Sequence, residues 1–219
     1  MKKYKYIILD FGNVLAYPVS GHWFITNKFK ELINMDKIDY TNINNAINKL
    51  KNILSWKAIS LKEEENLFYN FYKRLFEEIN YQVNDNIIKE LAKDYTYNYD
   101  KCNLYDGVLE ELKELSKKYK LLLLSDNWPC GIEIMKYNKI DKYFEKMYIS
   151  SVYESTKEDE IFFDYPINEY NIKPGEALFI DDNETLLDIA VNKGLDVKLM
   201  VREGTKKSKY EIINKLLKI

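Results

Sequence analysis

Three places in the chain set carboxylates or a hydroxyl directly behind short apolar runs, and a fourth such run is followed by an ammonium. "YIILDFGN" ends its run at Asp10, with Gly12 two places on. "LLLLSDN" delivers Ser125, Asp126 and Asn127, "MYISSVYESTK" leads to Lys157, and "ALFIDDNE" delivers Asp181 and Asp182. Facing carboxylates repel one another unless a cation lies between them, and an all-oxygen donor set suits Mg²⁺. A carboxylate can also attack phosphorus to give an aspartyl-phosphate, which divides one hard displacement into two easier ones. The Ser125 hydroxyl and the backbone N–H groups after it are suited to holding phosphate oxygens. Lys157 would offset the remaining negative charge, because phosphoryl transfer is mostly positioning and electrostatics.

These groups converge only if the apolar runs are neighbouring strands. The runs Tyr6–Leu9, Leu121–Leu124, Met147–Ile149, Ala177–Ile180 and Val197–Val201 lack polar alternation, as strands covered on both faces do. Helical patterns separate them. "DGVLEELKELSKKYK" sets Val108, Leu109, Leu112 and Leu115 on one stripe, and "ETLLDIAVNKG" stops at Gly194. Alternating strand and helix predicts a parallel, doubly wound α/β sheet, whose ligands bind beyond the carboxyl ends of its strands. One stretch breaks the alternation: residues 17–100 read as helix after helix. Within it "LKEEENLFYNFYKRLFEEI" places Leu61, Leu67, Phe68, Phe71, Leu75 and Phe76 on a broad apolar face. The aromatic-rich segment Trp56–Tyr81 reads as that region's own core. The expected division is therefore 1–16 with 101–219 as an α/β core, and 17–100 as a helical insertion.

Composition narrows the function classes. Across 219 residues the net charge is -2, with 46% hydrophobic and 31% charged residues, a balance suited to a globular chain with a real core. That charge offers no electrostatic reason to expect nucleic acid as a partner. No run approaches the ~18 apolar residues of a membrane span. The N-terminal segment is too briefly apolar for a signal peptide. Cys102 and Cys130 form no C-x-x-C and have no histidine beside them, so two reduced thiols in a cytoplasmic protein are expected. "DFG" also occurs in kinases, but here no glycine-rich loop, strand lysine or H-R-D loop accompanies it.

The ordered set Asp10, Ser125, Lys157 and Asp181–Asp182 resembles the haloacid dehalogenase (HAD) superfamily of hydrolases, along nearly the whole chain. "ILDFGNVL", "LLLSDN", Lys157 and "FIDDNE" correspond to its motifs I to IV, and "LYDGVLEELKEL" resembles the usual approach to motif II. The resemblance implies a Rossmann-like core with a helical C1 cap inserted after the first strand. It further implies a Mg²⁺-dependent phosphatase using Asp10 as nucleophile on a small phosphorylated metabolite. Catalysis would rest on Asp10, Ser125 and Lys157, with Ser125, Asp126, Asn127 and Lys157 as substrate contacts. The metal would lie among Asp10, the carbonyl of Gly12, Asp181 and Asp182. Asp182 would bind it directly and Asp181 directly or through water.

Two departures from the family pattern carry consequences. Glu158 stands where a proline usually follows the motif III lysine. Gly12 stands where many phosphatases of the family carry a second aspartate that protonates the leaving oxygen and later activates water. Such acid–base help is typically worth ~10²–10⁴ in rate. A D-x-G-N-V pattern resembles a branch that includes sugar-phosphate phosphatases. A cap residue or a bound water would then replace the acid, with Asp126 or His22 as candidates. The absence also leaves open a HAD-like module that binds a phosphorylated ligand or a protein with little or no catalysis. Behind both stands a haloalkanoate dehalogenase, against which "IDDNE" argues.

Overall fold

The strand that carries Asp10 lies in the middle of the sheet. The computed structural model describes residues 4–51 and 57–219. The part of the expected helical stretch at 52–56, with Trp56, lies outside the described residues. A six-stranded sheet runs in the order β5-β4-β1-β6-β7-β8. Its strands are β1 (Tyr6–Leu9), β4 (Lys120–Ser125), β5 (Phe144–Ile149), β6 (Ala177–Asp181), β7 (Asp196–Met200) and β8 (Ile212–Ile213). Every neighbouring pair is parallel. Two short strands that the apolar runs do not announce, β2 (Ala16–Pro18) and β3 (Cys102–Leu104), pair in a separate two-stranded sheet.

Both faces of the sheet are dry. Ile8, Leu122, Leu124 and Phe179 pack on one side with Phe162 and Phe163 of α7 (Ile161–Glu169) and Leu187 and Ala190 of α8 (Glu184–Asn192). Ile7, Leu9, Leu121, Leu123, Leu178 and Ile180 are equally buried. This is why these strands read as unbroken apolar runs: each such side chain contributes about 1.5–3 kcal/mol when removed from water.

The chain divides into two compact units, Met1–Tyr17 with Leu104–Ile219, and Pro18–Asn103. The second is helical, with α1 (Asn27–Leu32), α2 (Tyr40–Lys51), α3 (Leu61–Glu78) and α4 (Asp85–Tyr97). Ser60 caps α3 by accepting the Glu63 N–H, while the Glu63 carboxylate takes the Ile59 N–H at 2.7 Å. Phe68, Phe71, Leu75 and Phe76 are buried as the spacing predicts, whereas Leu61 and Leu67 are half-buried and Tyr72 joins the core instead. The Tyr72 hydroxyl donates to the carbonyl of Phe24, which makes its burial tolerable.

The stripe on α5 (Val108–Leu115) departs from expectation in a useful way. Leu109 is exposed, and Glu111 takes an interior place. Its carboxylate meets the Arg202 guanidinium at 3.3 Å, and both side chains are nearly inaccessible. Arg202 also donates through Nε to the carbonyl of Val14 at 2.9 Å. A helical stripe read from hydropathy alone cannot anticipate a charge buried by a partner 91 residues away.

Candidate active site

β1 ends between β4 and β6, with Leu9 level with Leu123 on one side and Ile180 on the other. Asp10 is thus carried to the carboxyl edge beside the ends of both neighbours, and its N–H donates to the Ile180 carbonyl at 3.1 Å. Carboxylate oxygens of Asp10, Asp181 and Asp182 lie within 4.8 Å of one another. Among them sits one ammonium. Lys157 Nζ is 2.8 Å from Asp10 Oδ1 and 2.7 Å from Asp181 Oδ2, and its side chain is 3% exposed.

Electrostatics follow from that crowding. Burial pushes the Asp10 carboxyl up to about 7; the Lys157 ammonium opposes the rise, and Asp181 and Asp182 add to it. Burial alone would lower the Lys157 pKa, but Asp10, Asp181 and Asp126 more than reverse this and hold the ammonium charged. The Asp182 carboxyl is raised by burial, against the Asn13 hydrogen bond. Three close acids with one cation keep net negative charge, and all donors are oxygen. The residues present therefore fit a hard divalent ion.

The Lys157 loop explains how Glu158 stands where proline is usual. Asp126 Oδ1 accepts the Lys157 N–H at 2.9 Å. Asp159 Oδ2 accepts from both the N–H and the hydroxyl of Thr156, and its own N–H returns to the Thr156 carbonyl. Hydrogen bonds from the turn and from the end of β4 thus fix the lysine where a proline ring would otherwise stiffen the chain. Lys146 is a residue of β5 and pairs with Glu169.

Ser125 is the last residue of β4 and is buried. The amides after it are less available than the sequence suggests: the Asn127 N–H donates to Ser150 Oγ at 3.0 Å. Asp126, expected at substrate, spends one carboxylate oxygen on Lys157. Asn127 Oδ1 accepts the Trp128 N–H at 2.8 Å. Its amide also lies over Gly131 of α6 (Pro129–Tyr137), where an added Cβ would come within 2.7 Å of Asn127 Cγ. Gly131→Ala should therefore swing Asn127 away. The lost hydrogen bond, about 1 kcal/mol, is offset by the similar gain of Ala over Gly in a helix. Urea denaturation should then show a change below about 1 kcal/mol. KM for the substrate should rise if Asn127 contacts it; an unchanged KM would remove Asn127 from the substrate contacts.

His22 lies in the helical unit. Its Nδ1 accepts the N–H groups of Phe24 at 3.0 Å and Ile25 at 3.2 Å. The proton therefore sits on Nε2, facing Asn44 Oδ1 at 3.2 Å. Both ring nitrogens are committed to local structure, which accounts for the histidine without acid–base work. Burial lowers its pKa, with Lys51 and Lys30 adding to the effect and Asn44 opposing it. The folded state thus prefers neutral His22. The associated stability is complete above the unfolded pKa of about 6.5 and is lost as pH falls below it. Urea midpoints at pH 7.5 and 5.5 should differ more for the parent than for His22→Asn, and equal differences would refute this.

One residue at the site went unread in the sequence: Asn13, whose Nδ2 donates to Asp182 Oδ2 at 2.9 Å. The only signal was the asparagine of "DFGN" itself.

Comparison with known proteins bears on the family and the fold. A family model described as haloacid dehalogenase-like hydrolase matches residues 29–201, most of the chain. Asp10 lies ahead of that span, and β1 is what brings it to the other motifs. A D-ribitol-5-phosphate phosphatase of Bacteroides thetaiotaomicron is 30% identical over 95 residues, covering 40% of this chain and 46% of that protein. The chain thus matches less than half the length of this curated relative. Among solved structures, the HAD-type protein YfnB of Bacillus subtilis, bound to magnesium, superposes with a TM-score of 0.69 at 14% identity, covering 99% of this chain and 97% of that one. A dehalogenase superposes with a TM-score of 0.73 at 15% identity, covering 100% and 96% respectively. At such identities these structures speak to fold alone. Sheet order and family match together lead to one conclusion: this chain belongs to the haloacid dehalogenase-like hydrolases.

Proposed function

We propose that this hydrolase is a Mg²⁺-dependent phosphatase acting on a small phosphorylated metabolite, with Asp10 as nucleophile. The observation that carries the reading is the cluster of Asp10, Asp181 and Asp182 around Lys157 at one sheet edge. The adjacent acid pair at the end of β6 favours a phosphate ester over a haloalkanoate, because attack on carbon needs no divalent ion. The ribitol-phosphate relative supports a sugar or polyol phosphate as the substrate class. The helical unit Pro18–Asn103 would serve as the family's cap and select the substrate.

Asp10, Asp182 and the Gly12 carbonyl would hold the ion. Asp181 would reach it through water, because its Oδ1 already accepts the Asn183 N–H and its Oδ2 accepts Lys157. When bound, Mg²⁺ supplies charge neutralisation for the phosphoryl oxygens and for the Asp10 carboxylate that faces them. The Ser125 hydroxyl donates to a phosphate oxygen, and Lys157 offsets further charge. An Asp10 oxygen bonds to phosphorus as the bond from phosphorus to the alcohol oxygen breaks. Water then attacks the same phosphorus, releasing inorganic phosphate and restoring the carboxylate. The proton for the leaving oxygen cannot come from Gly12, and His22 is committed elsewhere; it would come from a bound water or from Asp126, only one of whose carboxylate oxygens accepts the Lys157 N–H.

A panel of sugar and polyol phosphates assayed with Mg²⁺ and with chelator tests this. Metal-dependent phosphate release supports it. Stoichiometric binding of Mg²⁺ and phosphate without turnover would instead favour a binding module, the reading that Gly12 motivates. Chelator-resistant halide release would favour a dehalogenase.

A further inference from the structure

We propose that Asn13 is the positioning residue of the divalent-ion site: its left-handed backbone turns the loop behind β1, and its amide holds Asp182 in the ion-binding orientation. This rests on the metal-dependent reading above and adds a residue to it.

Asn13 has φ 56°, a conformation disfavoured for residues with a side chain and tolerated best by asparagine and aspartate after glycine. The turn is closed locally: the Asn13 N–H donates to the Ala16 carbonyl at 2.7 Å, and the N–H groups of Leu15 and Ala16 both donate to the Phe11 carbonyl. Glycine would satisfy all of this more easily. Asparagine at this strained place therefore calls for a reason in its side chain, and the side chain crosses from the end of β1 to the end of β6 to meet Asp182 at 2.9 Å. Because an ionised carboxylate only accepts, the amide must present its NH₂ to it.

The three acids are thereby divided between two donors. Lys157 binds Asp10 and Asp181, and Asn13 binds Asp182. Aspartate at position 13 would also tolerate the backbone, but it would set a fourth carboxylate against Asp182. Asparagine combines left-handed tolerance with a neutral donor. The loop that carries it is tied from its other side as well, with the Val14 carbonyl accepting from Arg202 and the Leu15 carbonyl from the Tyr105 N–H at 3.0 Å. A donor on so braced a loop restricts the carboxylate it holds. Groups that orient metal ligands in this way typically matter by 10- to 100-fold in metal affinity.

The test is calorimetric titration of the full chain with Mg²⁺ alone, beside thermal melting in chelator. Asn13→Gly keeps the backbone conformation and removes the amide. It should bind Mg²⁺ about 10- to 100-fold more weakly than the parent while melting within a few degrees of it without metal, because relief of the left-handed strain offsets the lost hydrogen bond to Asp182. Asn13→Ala removes the amide and strains the turn, so it should weaken Mg²⁺ equally and also melt earlier. Adding Asn13→Gly to Asp182→Asn should weaken binding no further, because the group being oriented is gone. Parental affinity in Asn13→Gly, or additive losses in the double variant, would overturn the inference while leaving the metal site standing. A parent chain that takes up no Mg²⁺ would overturn both.

Discussion

Replacing Asp10 with asparagine is expected to lower Mg²⁺-dependent ester hydrolysis by about 10⁴-fold or more, equivalent to about 5.5 kcal/mol of barrier. The two side chains have nearly the same shape, but an amide oxygen is a poor nucleophile and cannot form the acyl-phosphate. The exchange also removes one of the three clustered carboxylates. Chelation of the parent should take activity to the same floor, and added Mg²⁺ should restore it in the parent alone. The fold should survive, because Lys157 keeps its 2.7 Å contact with Asp181. The measurement is initial rate against Mg²⁺ concentration for both proteins. Hydrolysis by Asp10→Asn within tenfold of the parent would place the nucleophile elsewhere.

Lys157→Met should act on two observables at once. Methionine matches the length of the aliphatic stem and removes the charge. Asp10 and Asp181 then face each other, both buried, without the ammonium that separates them. Breaking a buried ion pair by deleting one partner costs about 3–5 kcal/mol. A loss near 3 kcal/mol is expected here, since protonation of Asp10, already raised to about 7 by burial, relieves part of the repulsion. Urea denaturation in chelator measures it. Activity should fall by about 10²–10³, the scale for removing one preorganised electrostatic donor. Stability within about 1 kcal/mol of the parent would show that the lysine does not hold the two acids together.

Much of the fold could be read from one physical regularity. Strands covered on both faces by helices must be apolar throughout, so β1, β4, the end of β5, β6 and β7 announced themselves within a residue or two. β2, β3 and β8 are two or three residues long, and no periodicity can develop over that distance. The helical character of the insertion was equally visible, since its apolar spacing repeats over many turns. Which residues of a stripe go inside was less so, as Leu109 and Glu111 demonstrate.

The sequence by itself determined which chemical groups stand at the strand ends, because a polar residue closing an apolar run marks where a strand leaves the core. Only the tertiary structure decided how those groups share their hydrogen bonds. Asp126 supports the Lys157 backbone, the Asn127 N–H is taken by Ser150, His22 braces its own loop, and Asn13 reaches Asp182. Each of these partnerships, His22 excepted, joins residues far apart in the chain, and position along a sequence carries no information about which donor will lie within three ångströms of which acceptor. Strand order and the left-handed turn behind β1 together bring position 13 beside position 182.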